Sequence, residues 1–175
     1  FDVLGAFDYL RDLGFAPERI GLVGMSLGAS TALLTAGLEP RIRAIWADSP
    51  YARPDVVAAE QAETFGYPRL IVPGGLIWGM LLTGNRLWEA AAVEQGAALA
   101  ANDQAVQLVH CTNDGFVFVH HSQDIESAYR AAGVPVDFWA LECTEGTLAH
   151  ATAFVTARDE YLRRLYEFFS TYLGN

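Results

Sequence analysis

Ile20-Gly21-Leu22-Val23-Gly24-Met25-Ser26-Leu27-Gly28 is the stretch on which the interpretation of the whole chain depends. An apolar run leads into a glycine-flanked serine, and small residues follow it. This order predicts a strand over Ile20–Val23, a sharp turn with Ser26 at its apex, and a helix to about Ala36. Glycines suit such a turn, because a Cβ atom at Gly24 or Gly28 is expected to strike the neighbouring backbone.

The composition indicates one globular domain. The chain has 175 residues, of which 52% are hydrophobic and 18% are charged. The net charge of −10 argues against nucleic acid and against an anionic membrane surface as partners. The sequence does not begin with Met and shows no basic segment followed by an apolar one. We therefore expect that the natural N-terminus lies upstream, and we favour a cytoplasmic location.

Strands and helices alternate along most of the chain, which predicts a parallel sheet covered by helices. After Ile20–Val23, the further strands are expected at Ile42–Ala47, Ala105–His110 and Val136–Leu141. Residues with helical spacing cover Phe1–Leu13, Val119–Ala132 and Arg158–Leu173. A loop is predicted over Glu142–Thr156.

The alternation stops between residues 51 and 104, which we call the excursion. Asp55–Phe65 and Glu89–Ala101 have helical patterns, and Leu70–Leu82 is an apolar run that Pro73 and three glycines are expected to break. The run is too short to span a membrane, and it lacks the basic face of an interfacial helix. The sequence thus predicts a core of residues 1–50 and 105–175 with a helical insertion over 51–104. The insertion is either a buried helical segment or a cap over a ligand site.

Four polar side chains follow predicted strands. They are Ser26, Asp48, Asp114 and His150. The carboxyl ends of parallel strands lie at one edge of a sheet, where ligands bind. These four residues are therefore expected near one another, in a candidate site.

A serine needs a base within hydrogen-bonding reach, and the base needs an acid to orient it. In serine sites on parallel sheets of this kind, the nucleophile comes first in the chain, the acid second and the histidine last. His150 is accordingly the predicted base. His110 ends a strand and is expected to be a core or supporting residue, while His120 and His121 open a helix and are expected to be structural.

Asp114 is the predicted acid, because it follows the strand that precedes the His150 loop. It lies in Asn113-Asp114-Gly115, where an aspartate is also common simply as a turn former. Asp48 is the rival acid, since it too follows a strand. Asp48 could equally cap the start of the excursion.

The oxyanion of an acyl-transfer reaction needs backbone N–H donors. Leu27, directly after the nucleophile and at a helix N-terminus, is expected to supply one of them. The second donor should come from a loop after an earlier strand, and no such strand precedes Ile20 in this sequence. We therefore expect this chain to be the C-terminal part of a larger domain that needs its N-terminal strands.

The whole chain resembles the C-terminal portion of α/β-hydrolases, in particular the serine hydrolases of the prolyl-oligopeptidase-like group. The similar segments are Pro17–Gly28, Ala47–Tyr51, Leu108–Asp114, Glu145–His150 and Tyr161–Phe169. The resemblance implies an α/β fold in which this chain supplies the last four parallel strands, with Ser26 as nucleophile, Asp114 as acid and His150 as base. The chain departs from its relatives at Ala149, where they often have glycine.

Three functions are compatible with these residues. The first is a serine esterase that acts through an acyl-enzyme on a small ester. The second is a peptidase of the prolyl-oligopeptidase type acting on short peptides, and the third is a binding protein without catalysis. Met25, Tyr51, Trp78 and Phe116 are candidate substrate-binding residues. No cofactor is predicted, and no metal, because adjacent His120 and His121 should point to different sides of a helix.

The two cysteines, Cys111 and Cys143, each follow a predicted strand. They could therefore lie near one another. We expect free thiols, since nothing in the sequence indicates an oxidising compartment.

Overall fold

Four parallel strands form the centre of the fold in the computed structural model, which describes residues 2–144 and 149–174. They are β1 (Leu22–Met25), β2 (Ala44–Asp48), β3 (Ala105–Cys111) and β4 (Val136–Leu141), in the spatial order β1-β2-β3-β4. All neighbouring pairs are parallel. The predicted α/β fold with four parallel strands is confirmed. Part of the segment Glu145–His150, quoted above, lies outside the described residues.

Eight α-helices connect and cover the strands within the described ranges. They are α1 (Asp2–Asp12), α2 (Leu27–Leu38), α3 (Pro54–Thr64), α4 (Val72–Thr83), α5 (Gly96–Ala101), α6 (His120–Ala132), α7 (Ala153–Thr156) and α8 (Arg158–Leu173). None of these helices is both long enough and apolar enough to cross a bilayer.

The sheet has a core on each face, because successive side chains of a strand point to opposite sides. Ile45 and Leu108 lie in a core with residues of α1, α2, α5 and α6. Trp46 and Val109, each the next residue along its strand, lie in a second core with Tyr161 and other residues of α8. β2 and β3 are buried along their whole length, as expected for strands covered on both faces.

The boundaries of some elements differ from the predicted ones. The apolar run Leu70–Leu82 is not broken but forms α4, because Pro73 occupies the first helical turn, where its missing N–H costs nothing. Only Gly96–Ala101 of the predicted helix Glu89–Ala101 is α-helical, and 3-10 turns precede it. Within the predicted loop Glu142–Thr156, the short helix α7 forms.

The end of the excursion packs against the sheet. Ala92 and Leu99 are fully buried in the core that contains α2 and α6. In contrast, none of the twelve residues of α4 is buried, and Trp78 is 65% exposed. The division into a core and a cap over residues 51–104 stays a prediction.

Cys111 and Cys143 form a disulfide, with their Cα atoms 5.4 Å apart. The expectation of free thiols is wrong. Parallel pairing places Cys111 opposite Leu141 at the ends of β3 and β4, which brings Cys143 within bonding distance two residues further on. The bond ties the segment that leads to Asp114 to the segment that leads to His150.

Candidate active site

The turn between β1 and α2 has the geometry predicted from its glycines, with one difference. A Cβ atom on Gly24 would lie 2.6 Å from the backbone nitrogen of Ala29, so no larger residue fits. A Cβ atom on Gly28 would meet nothing within 4 Å. The prediction that Gly28 avoids a clash with backbone is therefore wrong.

Ser26 occupies a strained conformation at this turn, with φ 53° and ψ −122°. Residues other than glycine rarely adopt a positive φ, and such backbone strain persists only where the surroundings impose it. Here the Ser26 N–H donates to the carbonyl of Asp48 at 2.8 Å, while the Ser26 carbonyl accepts from Ala29 at 2.9 Å. The backbone is thus held by both the sheet and the following helix.

The structure brings three of the predicted site residues into one hydrogen-bonded chain. His150 Nε2 lies 2.7 Å from Ser26 Oγ, and His150 Nδ1 lies 2.8 Å from Asp114 Oδ2. Because a carboxylate only accepts, the proton of a neutral His150 resides on Nδ1 and points to Asp114. Nε2 is then free to accept the hydroxyl proton of Ser26.

Asp114 is buried and receives N–H donors on both oxygens. Its Oδ1 accepts from the backbone of Phe116 at 2.8 Å and of Val117 at 3.0 Å. Burial alone would raise the pKa of this carboxyl, but the hydrogen bonds from His110, His150 and Phe116 outweigh it and lower the pKa to about 2. Asp114 is therefore both the turn former and the residue that holds His150, one oxygen serving each purpose.

The rival acid Asp48 does not hydrogen-bond to His150 in the described part of the chain. Its carboxyl is fully buried at the end of β2, and Oδ1 accepts from the Ser49 hydroxyl at 3.0 Å. Burial raises the pKa of Asp48, although the hydroxyls of Ser49 and Tyr161 oppose this. Asp48 contributes to the site through its backbone carbonyl, which holds Ser26.

His110 is fully buried beside Asp114. Its Nε2 lies 2.8 Å from the carbonyl of Val117, so this nitrogen carries the proton, and Nδ1 accepts from the Ser122 hydroxyl at 2.7 Å. The same Nε2 is 3.4 Å from Asp114 Oδ2. His110 supports the acid, in line with the supporting role expected for it.

The backbone around His150 is unusual. Ala149 and Ala151, on either side of it, have φ values of 49° and 53°. Glycine adopts this left-handed conformation without cost, so a glycine would fit at either position without strain. Here alanine accepts the strain.

The predicted oxyanion donor and the candidate substrate-binding residues differ in their surroundings. Leu27 begins α2, so its N–H lacks an intrahelical acceptor. The Phe116 ring lies 5.0 Å from the His150 ring, and Met25, which precedes Ser26, is 47% exposed. The Tyr51 carbonyl accepts from the Ser30 hydroxyl at 3.0 Å. Trp78 belongs to α4, which packs against α3.

A second cluster joins the excursion to α6. Glu60 of α3 lies 2.8 Å from His120 Nε2 and 2.9 Å from His121 Nε2. The prediction that His120 and His121 point to different sides is wrong, since both rings are at the start of α6 and their centroids are 4.4 Å apart.

The three side chains of this cluster offer ligand atoms within 4.8 Å of one another, a spacing compatible with a metal ion. However, His121 Nδ1 accepts from the backbone N–H of Ala52 at 3.3 Å, which leaves the proton of neutral His121 on Nε2, pointing at Glu60. The arrangement is that of a hydrogen-bonded cluster. The absence of a metal stays a prediction.

Sequence reasoning missed Asn113 and Glu60. Asn113 accepts from the Cys143 N–H at 2.9 Å and donates to the Cys143 carbonyl at 2.6 Å, which fixes the residue before Asp114 beside the disulfide. The position of Asn113 directly before the predicted acid was a local signal, but its hydrogen-bond partner Cys143 lies 30 residues away in the chain. Glu60 carries no local signal, because its contacts span about sixty residues of chain.

The fold is that of α/β-hydrolases. No family model matches the chain, and no curated protein matches it. The chain is similar to several solved structures. An esterase of Pyrococcus furiosus has a TM-score of 0.64 at 19% identity, over 89% of this chain and 54% of that one.

Two peptidases are also similar. A puromycin-hydrolyzing peptidase of Mycobacterium tuberculosis has a TM-score of 0.74 at 21% identity, over 99% of this chain and 25% of that one. An acylaminoacyl peptidase of Pyrococcus horikoshii has a TM-score of 0.70 at 17% identity, over 98% of this chain and 27% of that one. The chain thus spans about half of the esterase and about a quarter of each peptidase. With identities between 17% and 21%, these neighbours show the fold.

Proposed function

We propose that the protein is a serine hydrolase that cleaves small carboxylic esters through an acyl-enzyme. The observation that carries the proposal is the chain of hydrogen bonds from Ser26 through His150 to Asp114, at 2.7 Å and 2.8 Å. The low pKa of Asp114 supports it further, since an ionised acid stabilises the imidazolium that forms during catalysis.

In the first half of the reaction, Ser26 Oγ attacks the ester carbonyl carbon while its proton moves to His150 Nε2. Asp114 holds the resulting imidazolium through Nδ1–H. The backbone N–H of Leu27 donates to the developing oxyanion, a contact of the kind worth about 3 kcal/mol. The tetrahedral intermediate then collapses, and Nε2 returns the proton to the departing alcohol.

In the second half, water replaces the alcohol. His150 Nε2 takes a proton from the water as it attacks the acyl carbon of the acyl-Ser26 ester. A second tetrahedral intermediate releases the carboxylic acid, and the proton on Nε2 returns to Ser26 Oγ. The catalytic groups end as they began, so no cofactor is required by this scheme.

A peptide substrate is the second candidate, because the two peptidases have higher TM-scores to this chain than the esterase has. The same residues would transfer the proton to a departing amine. Parallel assays of a p-nitrophenyl ester and a p-nitroanilide with the same acyl group distinguish the two candidates.

The nucleophile is tested with a fluorophosphonate probe on the full-length protein, followed by mass spectrometry of the labelled peptide. We expect one adduct, on Ser26, and none in the Ser26→Ala variant. Folded wild-type protein that shows no Ser26 adduct would contradict both catalytic candidates and favour a binding protein.

A further inference from the structure

Two consecutive residues of α3, Glu60 and Gln61, contact the segment around the acid by separate routes. We call residues 112–119, which connect β3 to α6, the acid loop. The side-chain amide of Gln61 donates to the carbonyl of Phe116 in this loop. The N–H of the same Phe116 donates to Asp114 Oδ1 at 2.8 Å. Phe116 is therefore hydrogen-bonded both to α3 and to the acid Asp114.

Glu60 reaches the far end of the acid loop. This residue is only 8% exposed, and its carboxylate accepts from His120 and His121, which follow the acid loop directly. His121 is held further by the Ala52 N–H at its Nδ1. A buried carboxylate is stable only with such partners, so this contact fixes the start of α6 against α3.

The next residue of α6, Ser122, continues the connection to the acid. Its hydroxyl lies 2.7 Å from His110 Nδ1, and the His110 Nε2–H is directed to the Val117 carbonyl at 2.8 Å. Val117 in turn donates its N–H to Asp114 Oδ1 at 3.0 Å. The acid loop is thus held at Phe116 by Gln61, and at its end by the Glu60 cluster.

We propose that Glu60 and Gln61 are positioning residues for the acid, through which helix α3 of the excursion fixes Asp114 against His150. The inference rests on the proposed function. Neither residue touches Ser26 or His150 among the described contacts, so each acts through the acid loop. A misplacement of about 1 Å at a catalytic group can cost about 100-fold in rate, even when it is caused far from the chemistry.

The expected effect falls on kcat and on the hydrogen bond between Asp114 and His150. A loosened Asp114 stabilises the imidazolium that forms during catalysis less well. The value of kcat should then fall, while KM changes little. A purely structural role of α3 would lower the thermal stability without changing that hydrogen bond.

Three variants of the full-length protein make the test: Gln61→Ala, Glu60→Gln and the control Glu63→Gln. Glu63 lies on the same helix, pairs with the exposed Arg69 and undergoes the same charge change as Glu60. Each variant is assayed for kcat and KM with a p-nitrophenyl ester. The His150 Nδ1–H proton resonance is recorded without substrate, as a direct report on the Asp114–His150 hydrogen bond.

We expect kcat to fall about tenfold in Gln61→Ala and Glu60→Gln, with a shifted His150 resonance, and no change in Glu63→Gln. If Glu60→Gln fails to fold, Gln61→Ala alone decides, since it removes no charge. An unchanged resonance and an unchanged kcat in folded Gln61→Ala overturn the proposal. Failure of the proposed function gives a different result: a normal His150 resonance in wild-type protein that neither reacts with fluorophosphonate nor hydrolyses the ester.

Discussion

Ser26 Oγ and His150 Nε2 lie 2.7 Å apart, although 124 residues separate them in the chain. Two strained backbones bring them together, at Ser26 and at the alanines that flank His150. Strain of this kind costs about 1–3 kcal/mol at each residue. The fold therefore maintains this contact at the expense of stability, which is typical of functional sites.

The strain at Ser26 leads to a prediction about stability. Ser26→Gly should raise the free energy of unfolding by about 1 kcal/mol, because glycine tolerates a φ of 53°. Ser26→Ala keeps the Cβ atom and serves as the control, with little change expected. Both variants should lose nearly all ester hydrolysis, about 10⁶-fold. Equal unfolding free energies of the two variants, measured in urea, would show that the backbone strain is absent.

Asp114 is expected to make both catalysis and stability depend on its charge. Asp114→Asn should lower kcat by about 10⁴-fold, since the amide cannot hold the imidazolium. The pKa of Asp114 is lowered from 3.8 to about 2. Its contribution to stability is therefore complete above the unfolded pKa and is lost as the pH falls from about 4 through about 2.

The shift corresponds to about 2 kcal/mol. The difference in unfolding free energy between wild type and Asp114→Asn should shrink by that amount between about pH 5 and about pH 2, as measured by chemical denaturation. Asp137→Asn, on exposed β4 surface, is the control and should show no such change. A difference that is constant with pH would contradict the low pKa of Asp114.

Much of the fold, and the proximity of Ser26, Asp114 and His150, could be predicted because their signals are local. The glycine-flanked Ser26 and the strands before Asp114 and His150 are each visible within about ten residues. Parallel pairing then places strand ends at one edge. By contrast, the Cys111–Cys143 bond and the Glu60 cluster depend on contacts across 32 and about sixty residues. No local pattern records such contacts, so the sequence could not predict them.

The buried acid Asp48 should behave oppositely to Asp114. Burial raises its pKa, so its folded form binds protons more tightly than its unfolded form. Stability therefore falls as the pH rises through the interval between the ordinary pKa and the raised one. Asp48→Asn should then raise the free energy of unfolding at pH 7, because Asn Oδ1 still accepts from Ser49.

Thermal unfolding of this variant at pH 7 and at about pH 3 checks the prediction, with Asp137→Asn again as control. The gain in stability of Asp48→Asn over wild type should be present at pH 7 and absent at the lower pH, where wild-type Asp48 is protonated. A loss of stability at pH 7 would mean that the charge on Asp48 stabilises the fold.

The disulfide between Cys111 and Cys143 should stabilise both the fold and the acid loop. It closes a loop across a sequence separation of 32 residues, for which the loss of chain entropy in the unfolded state is worth about 4 kcal/mol. Adjacent Asn113 holds the Cys143 backbone at 2.6 Å and 2.9 Å. Reduction, or replacement of both cysteines by serine, should therefore lower the unfolding free energy by about that amount.

Thiol titration of unfolded protein, prepared without reductant, should find no free cysteine, and two after reduction. Asn113→Ala is the matched variant, since it removes the adjacent contact and leaves the bond intact. It should lower stability less than loss of the disulfide does and should also reduce ester hydrolysis, because Asp114 follows it directly in the chain. Two titratable thiols in protein from its natural compartment would show that the bond does not form there, as first expected from the sequence.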